Sequence, residues 1–166
     1  DHAPEWRQGR KAVVLGAGGA ARAVLFALLD AGFADVRVVN RSAARARELA
    51  DRFGPRVSAH GQAAAGELLG DADLVVNTTS LGMDGNGELP ADVASIHAGA
   101  IVTDIVYVPL VTPLLAAAAG RGLKCVDGLG MLLHQAVPGF RQWFGVMPEV
   151  TPDLRDLVIA DMERHS

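Results

Sequence analysis

The chain has 166 residues, half of them hydrophobic and 20% charged, enough apolar material for one core and too much for disorder. Its formal net charge of −4 gives no electrostatic reason to expect a nucleic-acid or membrane partner. A single cysteine, Cys125, cannot form an internal disulfide and fits a reducing cytoplasm, and no apolar run approaches the roughly 20 residues needed to span a bilayer.

Residues 1–10 read as a polar lead-in with Pro4 and Trp6, and a start at Asp1 rather than Met suggests a piece of a longer chain. Ala12-Val13-Val14-Leu15 then suits a strand buried on both faces. Gly16-Ala17-Gly18-Gly19-Ala20-Ala21 turns it into a long apolar-periodic segment, the G-x-G-x-x-G/A pattern with Ala21 in the third small position. Gly16 permits the tight turn, Gly18 lets the backbone approach a pyrophosphate, and Ala21 lets helix and strand pack closely. The helix N-terminus adds unpaired N–H groups and partial positive charge.

Gly32 closes that helix, Val36-Arg37-Val38-Val39 gives a second strand, and a helix over Ala43–Phe53 follows. The residues ending the second strand decide between nicotinamide cofactors, because an Asp or Glu takes the ribose 2′-OH of NAD whereas Arg accommodates the 2′-phosphate of NADP. Here stand Asn40, Arg41 and Ser42, with Arg45 one helical turn on. Two guanidiniums and a hydroxyl grip a phosphate through charge-assisted contacts of about 1.5–3 kcal/mol each. Arg47 reads as a solvated helix position.

A short third strand at 57–59 and an ill-defined helix at 62–69 lead to a fourth strand, Leu74-Val75-Val76. Asn77-Thr78-Thr79-Ser80-Leu81-Gly82-Met83 ends it and, in an open parallel sheet, lies beside the cofactor; the competing reading is a loop that only satisfies its own backbone. A polar, Gly-rich loop at 84–90 precedes a fifth strand at 100–106. Thr112 and Pro113 form an N-cap and N1 pair for a helix ending at Gly120. Lys124 to Val126 is the sixth strand, and Asp127-Gly128-Leu129-Gly130 opens a helix at 131–144 in which Pro138-Gly139 predicts a kink or break. Thr151-Pro152-Asp153 caps a last helix at 154–162. Six strands alternating with helices predict an α/β, Rossmann-type doubly wound parallel sheet of order 3-2-1-4-5-6, a single domain over 11–150 with a C-terminal helix at 151–166.

An acid–base group for hydride chemistry is missing from this pattern. Lys11 and Lys124 start strands 1 and 6, at the end of the sheet away from the glycine turn. His2 and His165 lie near the termini, His60 and His97 in connections, and His134 shares a helix with Gln135, so only one of that pair faces a cleft squarely. No Cys/His cluster has metal spacing, and Cys125 reads as core.

Five blocks, VLGAGGAARAV (14–24), NRSAAR (40–45), NTTSLGM (77–83), DIVYVPLVTPLL (104–115) and DGLGMLLHQA (127–136), resemble the C-terminal NADP-binding domain of the shikimate dehydrogenases, in order and spacing. That family interconverts shikimate and 3-dehydroshikimate with NADP(H) on the way to aromatic amino acids. The resemblance implies that Gly16, Ala17, Gly18, Gly19 and Ala20 hold the pyrophosphate, and that Asn40, Arg41, Ser42 and Arg45 hold the adenosine ribose and its 2′-phosphate. It also implies that Thr78 and Ser80 line the cofactor, that Ile105, Gly128 and Met131 surround the nicotinamide, and that Tyr107 and Gln135 touch the substrate. The family's catalytic lysine and aspartate belong to an N-terminal domain this sequence lacks, so the resemblance implies a substrate shared with that domain and cofactor binding without turnover. A broader quinate/shikimate dehydrogenase and a non-catalytic NADPH-binding module are the alternatives; a glutamyl-tRNA reductase fits Tyr107 and the 128–135 block poorly.

Overall fold

The computed structural model describes residues 3–83 and 89–165. Strands β1 (Lys11–Leu15), β2 (Asp35–Asn40), β3 (Val57–Gly61), β4 (Leu74–Asn77), β5 (Ile101–Asp104) and β6 (Lys124–Val126) form one all-parallel sheet of order β3-β2-β1-β4-β5-β6. Helices α1 (Gly19–Asp30), α2 (Ala43–Phe53), α3 (Ala65–Leu69), α4 (Pro113–Gly120), α5 (Leu129–Phe144) and α6 (Pro152–His165) supply the crossovers and the C-terminal end.

Burial on both faces explains the unbroken apolar runs. Val13, Leu15, Val75 and Val102 point into a core shared with Leu69 of α3 and Leu114, Leu115 and Ala118 of α4. Their neighbours Ala12, Val14, Val36 and Val38 point the other way, onto Ala21, Leu25 and Leu28 of α1 and Ala46 and Leu49 of α2. Gly32, at φ +94°, ends α1 where a side chain is disfavoured.

Register fixes the site. Leu15 lies opposite Val39 on one side and Asn77 on the other, and Asn77 lies opposite Asp104. Strands β1, β4 and β5 therefore end level and β2 one residue further on, so Gly16, Thr78 and Ile105 leave the sheet beside Asn40 at its carboxyl edge. Lys11 pairs with Asp71 at 2.6 Å and Lys124 pairs with Glu5, both at the opposite edge.

Several elements differ from the sequence expectation. Residues 1–10 are more than a lead-in: Pro4–Gln8 is a 3₁₀ turn, Ala3 is buried, and Trp6 stacks on Phe33 with ring centroids 6.0 Å apart. Strand β3 runs on to Gly61, so His60 is a strand residue opposite Val39 rather than part of a connection. Strand β5 stops at Asp104, and α6 spans Pro152–His165. Helix α5 is continuous through Pro138 to Gly145, which ends it at φ +71°. The expected break is therefore absent, and Pro138, whose ring is exposed, stands inside the helix without a backbone N–H to donate. The Gly-rich loop expected at 84–90 falls, over 84–88, outside the described residues.

Candidate functional site

The two glycines of the first turn do different work. Gly16 sits at φ +106° and donates its N–H to Val39 O at 2.8 Å. A Cβ there would lie 2.8 Å from Thr78 Oγ1 and 3.0 Å from Thr79 Cγ2, so the β4 loop leaves no room for one. Gly18 is the N-cap of α1, in extended backbone, with no side chain capping the helix. A Cβ there meets nothing within 4 Å, so the protein itself does not demand a glycine at 18; an approaching ligand would. Gly18, Gly19 and Ala20 are exposed, and the uncapped first turn of α1 presents its N–H groups and dipole to that space.

A cleft opens from this turn along the carboxyl edge. One lobe is lined by Gly16, Ala17, Gly18, Asn40, Arg41 and Arg45, closed by Thr78–Leu81 and by Gln62, Leu89 and Pro90. Asn40 Nδ2 donates to Ser42 O at 3.0 Å, fixing the turn that carries Arg41. Ser42 does not line the lobe: its Oγ caps α2 by accepting from Arg45 N at 3.4 Å, which orients the helix bearing Arg45. Among the described residues no carboxylate lines this lobe. Gln62, Leu89 and Pro90 were not legible from sequence, since Gln62 Nε2 reaches Pro90 O, 3.0 Å away, across 28 residues.

The second lobe, a cavity of about 520 Å³, shares Thr78, Thr79 and Ser80 with the first, so the two are continuous. Met83, Ile105, Val106, Tyr107, Val108 and Met131 complete its mostly apolar wall. The Asn77–Met83 run satisfies both of its readings at once. Thr78 Oγ1 donates to Leu15 O at 2.8 Å, Asn77 Oδ1 accepts from Thr79 N and Oγ1, and Thr79 Oγ1 accepts from Leu81 N, yet Thr78–Ser80 still face the cleft.

Besides Ser42, four residues implied by resemblance sit outside the lining: Gly19 and Ala20, exposed in the first turn of α1, and Gly128 and Gln135. Gly128 is buried beneath the loop after β5, where a Cβ would lie 2.5 Å from Ile105 O; it is glycine because the start of α5 presses on that backbone. Gln135 is exposed on α5, one helical turn beyond Met131.

Among the described residues the ionisable side chains lining the cleft are Arg41, Arg45 and Tyr107; neither lysine lines it, nor does any described histidine. His60 pairs with Ser58 Oγ at 2.8 Å on β3. Among the described residues no group of three or more His, Cys, Asp or Glu is placed to hold a metal ion, and no helix is long and apolar enough to cross a membrane. Cys125 is half-buried and its thiol is pushed up by desolvation, consistent with core rather than reactive chemistry.

The topology and the glycine turn at its carboxyl edge define a Rossmann-type domain. Residues 3–83 match the family described as shikimate/quinate 5-dehydrogenase, and residues 128–155 match the shikimate 5′-dehydrogenase C-terminal domain. The chain is 66% identical over 162 residues to the shikimate dehydrogenase (NADP(+)) of Mesorhizobium japonicum, covering 98% of this chain and 58% of that protein. It is 61% identical over 158 residues to that of Chelativorans, covering 95% of this chain and 57% of the relative. Among solved structures, it superposes on a Corynebacterium glutamicum quinate dehydrogenase in complex with NAD at a TM-score of 0.82 and 34% identity, covering 90% of this chain and 55% of that one. A Thermus thermophilus shikimate 5-dehydrogenase in complex with NADP(H) and shikimate gives 0.73 and 39%, covering 85% and 51%. The chain belongs to the shikimate dehydrogenase family and spans a little over half the length of the curated relatives it matches.

Proposed function

We propose that this chain is the NADP(H)-binding part of a shikimate dehydrogenase, serving the interconversion of shikimate and 3-dehydroshikimate. The observation that carries the reading is the pairing of Arg41 and Arg45 beside the Gly16–Gly18 turn, in a lobe lined by no carboxylate among the described residues. A 2′-phosphate is attracted there, and the ribose-binding acid that favours NAD is replaced by Asn40. Gly18 leaves space for a pyrophosphate against the first turn of α1, so the residues present fit the cofactor. When bound, the nicotinamide supplies or accepts the hydride. The apolar wall of Ile105, Val106, Val108 and Met131 excludes water from that end of the cleft, and Tyr107 stands at its mouth to meet the substrate. Gln135, one turn from Met131, is proposed as a further substrate contact reached from outside the cleft.

The proton removed from the alcohol needs an acceptor, and among the described residues no lysine, histidine or carboxylate lines the cleft. The acid–base group and most substrate contacts are therefore assigned to the portion of the relatives that this chain does not span. On this reading the chain alone binds cofactor without turnover. A fluorescence titration with NADPH and NADH tests it: NADPH binds about tenfold or more tightly than NADH, equivalent to about 1.4 kcal/mol, and Arg41→Ala abolishes the difference. Equal affinity for the two would favour an NAD-using enzyme like the quinate dehydrogenase neighbour.

A further inference from the structure

Asp104 is 1% exposed, and its nearest partners are neutral. Its Oδ1 accepts from Val106 N at 3.0 Å and from Asn77 Nδ2 at 2.9 Å, and its Oδ2 accepts from Thr112 Oγ1 at 2.8 Å. Val106 opens the loop after β5 and Thr112 closes it, so one carboxylate clasps both ends of the segment that presents Ile105, Val106, Tyr107 and Val108 to the cleft. Thr112 Oγ1 also caps α4 by accepting from Leu115 N. Through Asn77, whose Oδ1 takes the N–H and hydroxyl of Thr79, the same carboxylate is tied to the other wall of the cavity. A buried carboxylate is costly unless each lone pair is used, and here its bonds all end on the two loops that form the apolar lobe.

We propose that Asp104 is a positioning residue: with Asn77 and Thr112 it locks the two loops into the shape that receives the nicotinamide half of the cofactor, while the adenosine half rests on Asn40, Arg41 and Arg45, to which Asp104 makes no bond. The inference rests on the cofactor reading above. Asp104→Leu keeps about the same volume but offers no acceptor, so the Thr112, Asn77 and Val106 bonds are all lost, whereas Asp104→Asn could keep all three by donating its amide to the Thr112 hydroxyl. Thr112→Val opens the far end of the clasp alone, and Thr112→Ser retains it.

The test titrates the 166-residue chain with NADPH, following nicotinamide emission, and with 2′,5′-ADP, which lacks the nicotinamide half. Asp104→Leu and Thr112→Val should weaken NADPH about tenfold and dull the emission change of whatever still binds, while 2′,5′-ADP stays within about twofold of the unmodified chain. Thr112→Ser should match the unmodified chain on both probes. Circular dichroism checks each variant, and if Asp104→Leu does not fold, the Thr112 pair decides alone. Equal loss of both probes, or NADPH binding and emission untouched in the folded variants, overturns the proposal. An unmodified chain that binds neither probe overturns the cofactor reading and takes this inference with it; one that binds 2′,5′-ADP leaves that reading standing whatever the variants do.

Discussion

Replacing each glycine of the first turn by alanine separates what the fold needs from what a ligand needs. At Gly16, φ +106° is a region that costs a side-chain-bearing residue about 1–3 kcal/mol. The new Cβ would also sit 2.8 Å from Thr78 Oγ1 and 3.0 Å from Thr79 Cγ2, and relieving such overpacking costs about 1–3 kcal/mol more. At about 2–4 °C per kcal/mol for a chain of this size, Gly16→Ala should lower Tm by about 5–20 °C. Gly18 is different: its φ of −94° suits alanine, and no atom lies within 4 Å of the new Cβ. Reduced freedom of the unfolded chain favours Gly18→Ala by about 0.4–1 kcal/mol, which the poorer N-cap roughly offsets. Its Tm should therefore stay within about 3 °C of the unmodified chain, yet its NADPH affinity should fall by about tenfold or more, because the methyl stands where the pyrophosphate approaches. Differential scanning calorimetry and fluorescence titration on the same samples read both quantities. A Gly18→Ala chain that binds NADPH normally, or a Gly16→Ala chain of unchanged Tm, would refute the division of labour.

Three further outcomes follow from the surface and the chain ends. The Arg37 guanidinium, helped by Lys11, holds the Asp71 carboxyl far below the usual carboxylate range, so its stabilisation is present above about pH 4 and is lost as pH falls through the lowered value. Asp71 is 48% exposed, so Asp71→Asn should cost about 1 kcal/mol or less at pH 7 in urea unfolding and flatten the acid limb of stability. Cys125, its thiol raised by burial, should react with a disulfide reagent well over about tenfold more slowly than a free thiol at pH 7 and equalise on unfolding. Arg155 bonds Asp127 Oδ2 at 2.6 Å and so ties α6 to the turn before α5; Arg155→Met should raise amide exchange in α6 about tenfold and leave β1 protected.

The sheet order was legible because a doubly wound parallel sheet announces itself in short apolar runs separated by helices, and because the Gly16–Ala21 turn names the first of them. Arg41 and Arg45 were legible for a similar reason: their place depends on one strand end and one helical turn, both local. What escaped the sequence was long-range. Gln62, Leu89 and Pro90 meet only in three dimensions, and the buried Asp104 looks like any polar residue at a strand end until Thr112 is seen to fold back onto it. Gly128 was assigned to the cofactor by resemblance, whereas its contact with Ile105 O gives it a packing reason of its own. Of the kink or break expected at Pro138 the break did not occur, since one proline removes a single hydrogen bond from a sixteen-residue helix.

Helix α5 buries Leu129 and leaves Phe140, Trp143 and Phe144 open, with Trp143 80% exposed. The chain's other tryptophan, Trp6, is partly buried and stacked on Phe33. The two chromophores thus stand in different settings, one wide open to acrylamide, the other partly covered. Any molecule that comes to lie on the far half of α5 will protect Trp143 from quenching without changing Trp6, so docking on that helix is visible in the unlabelled protein.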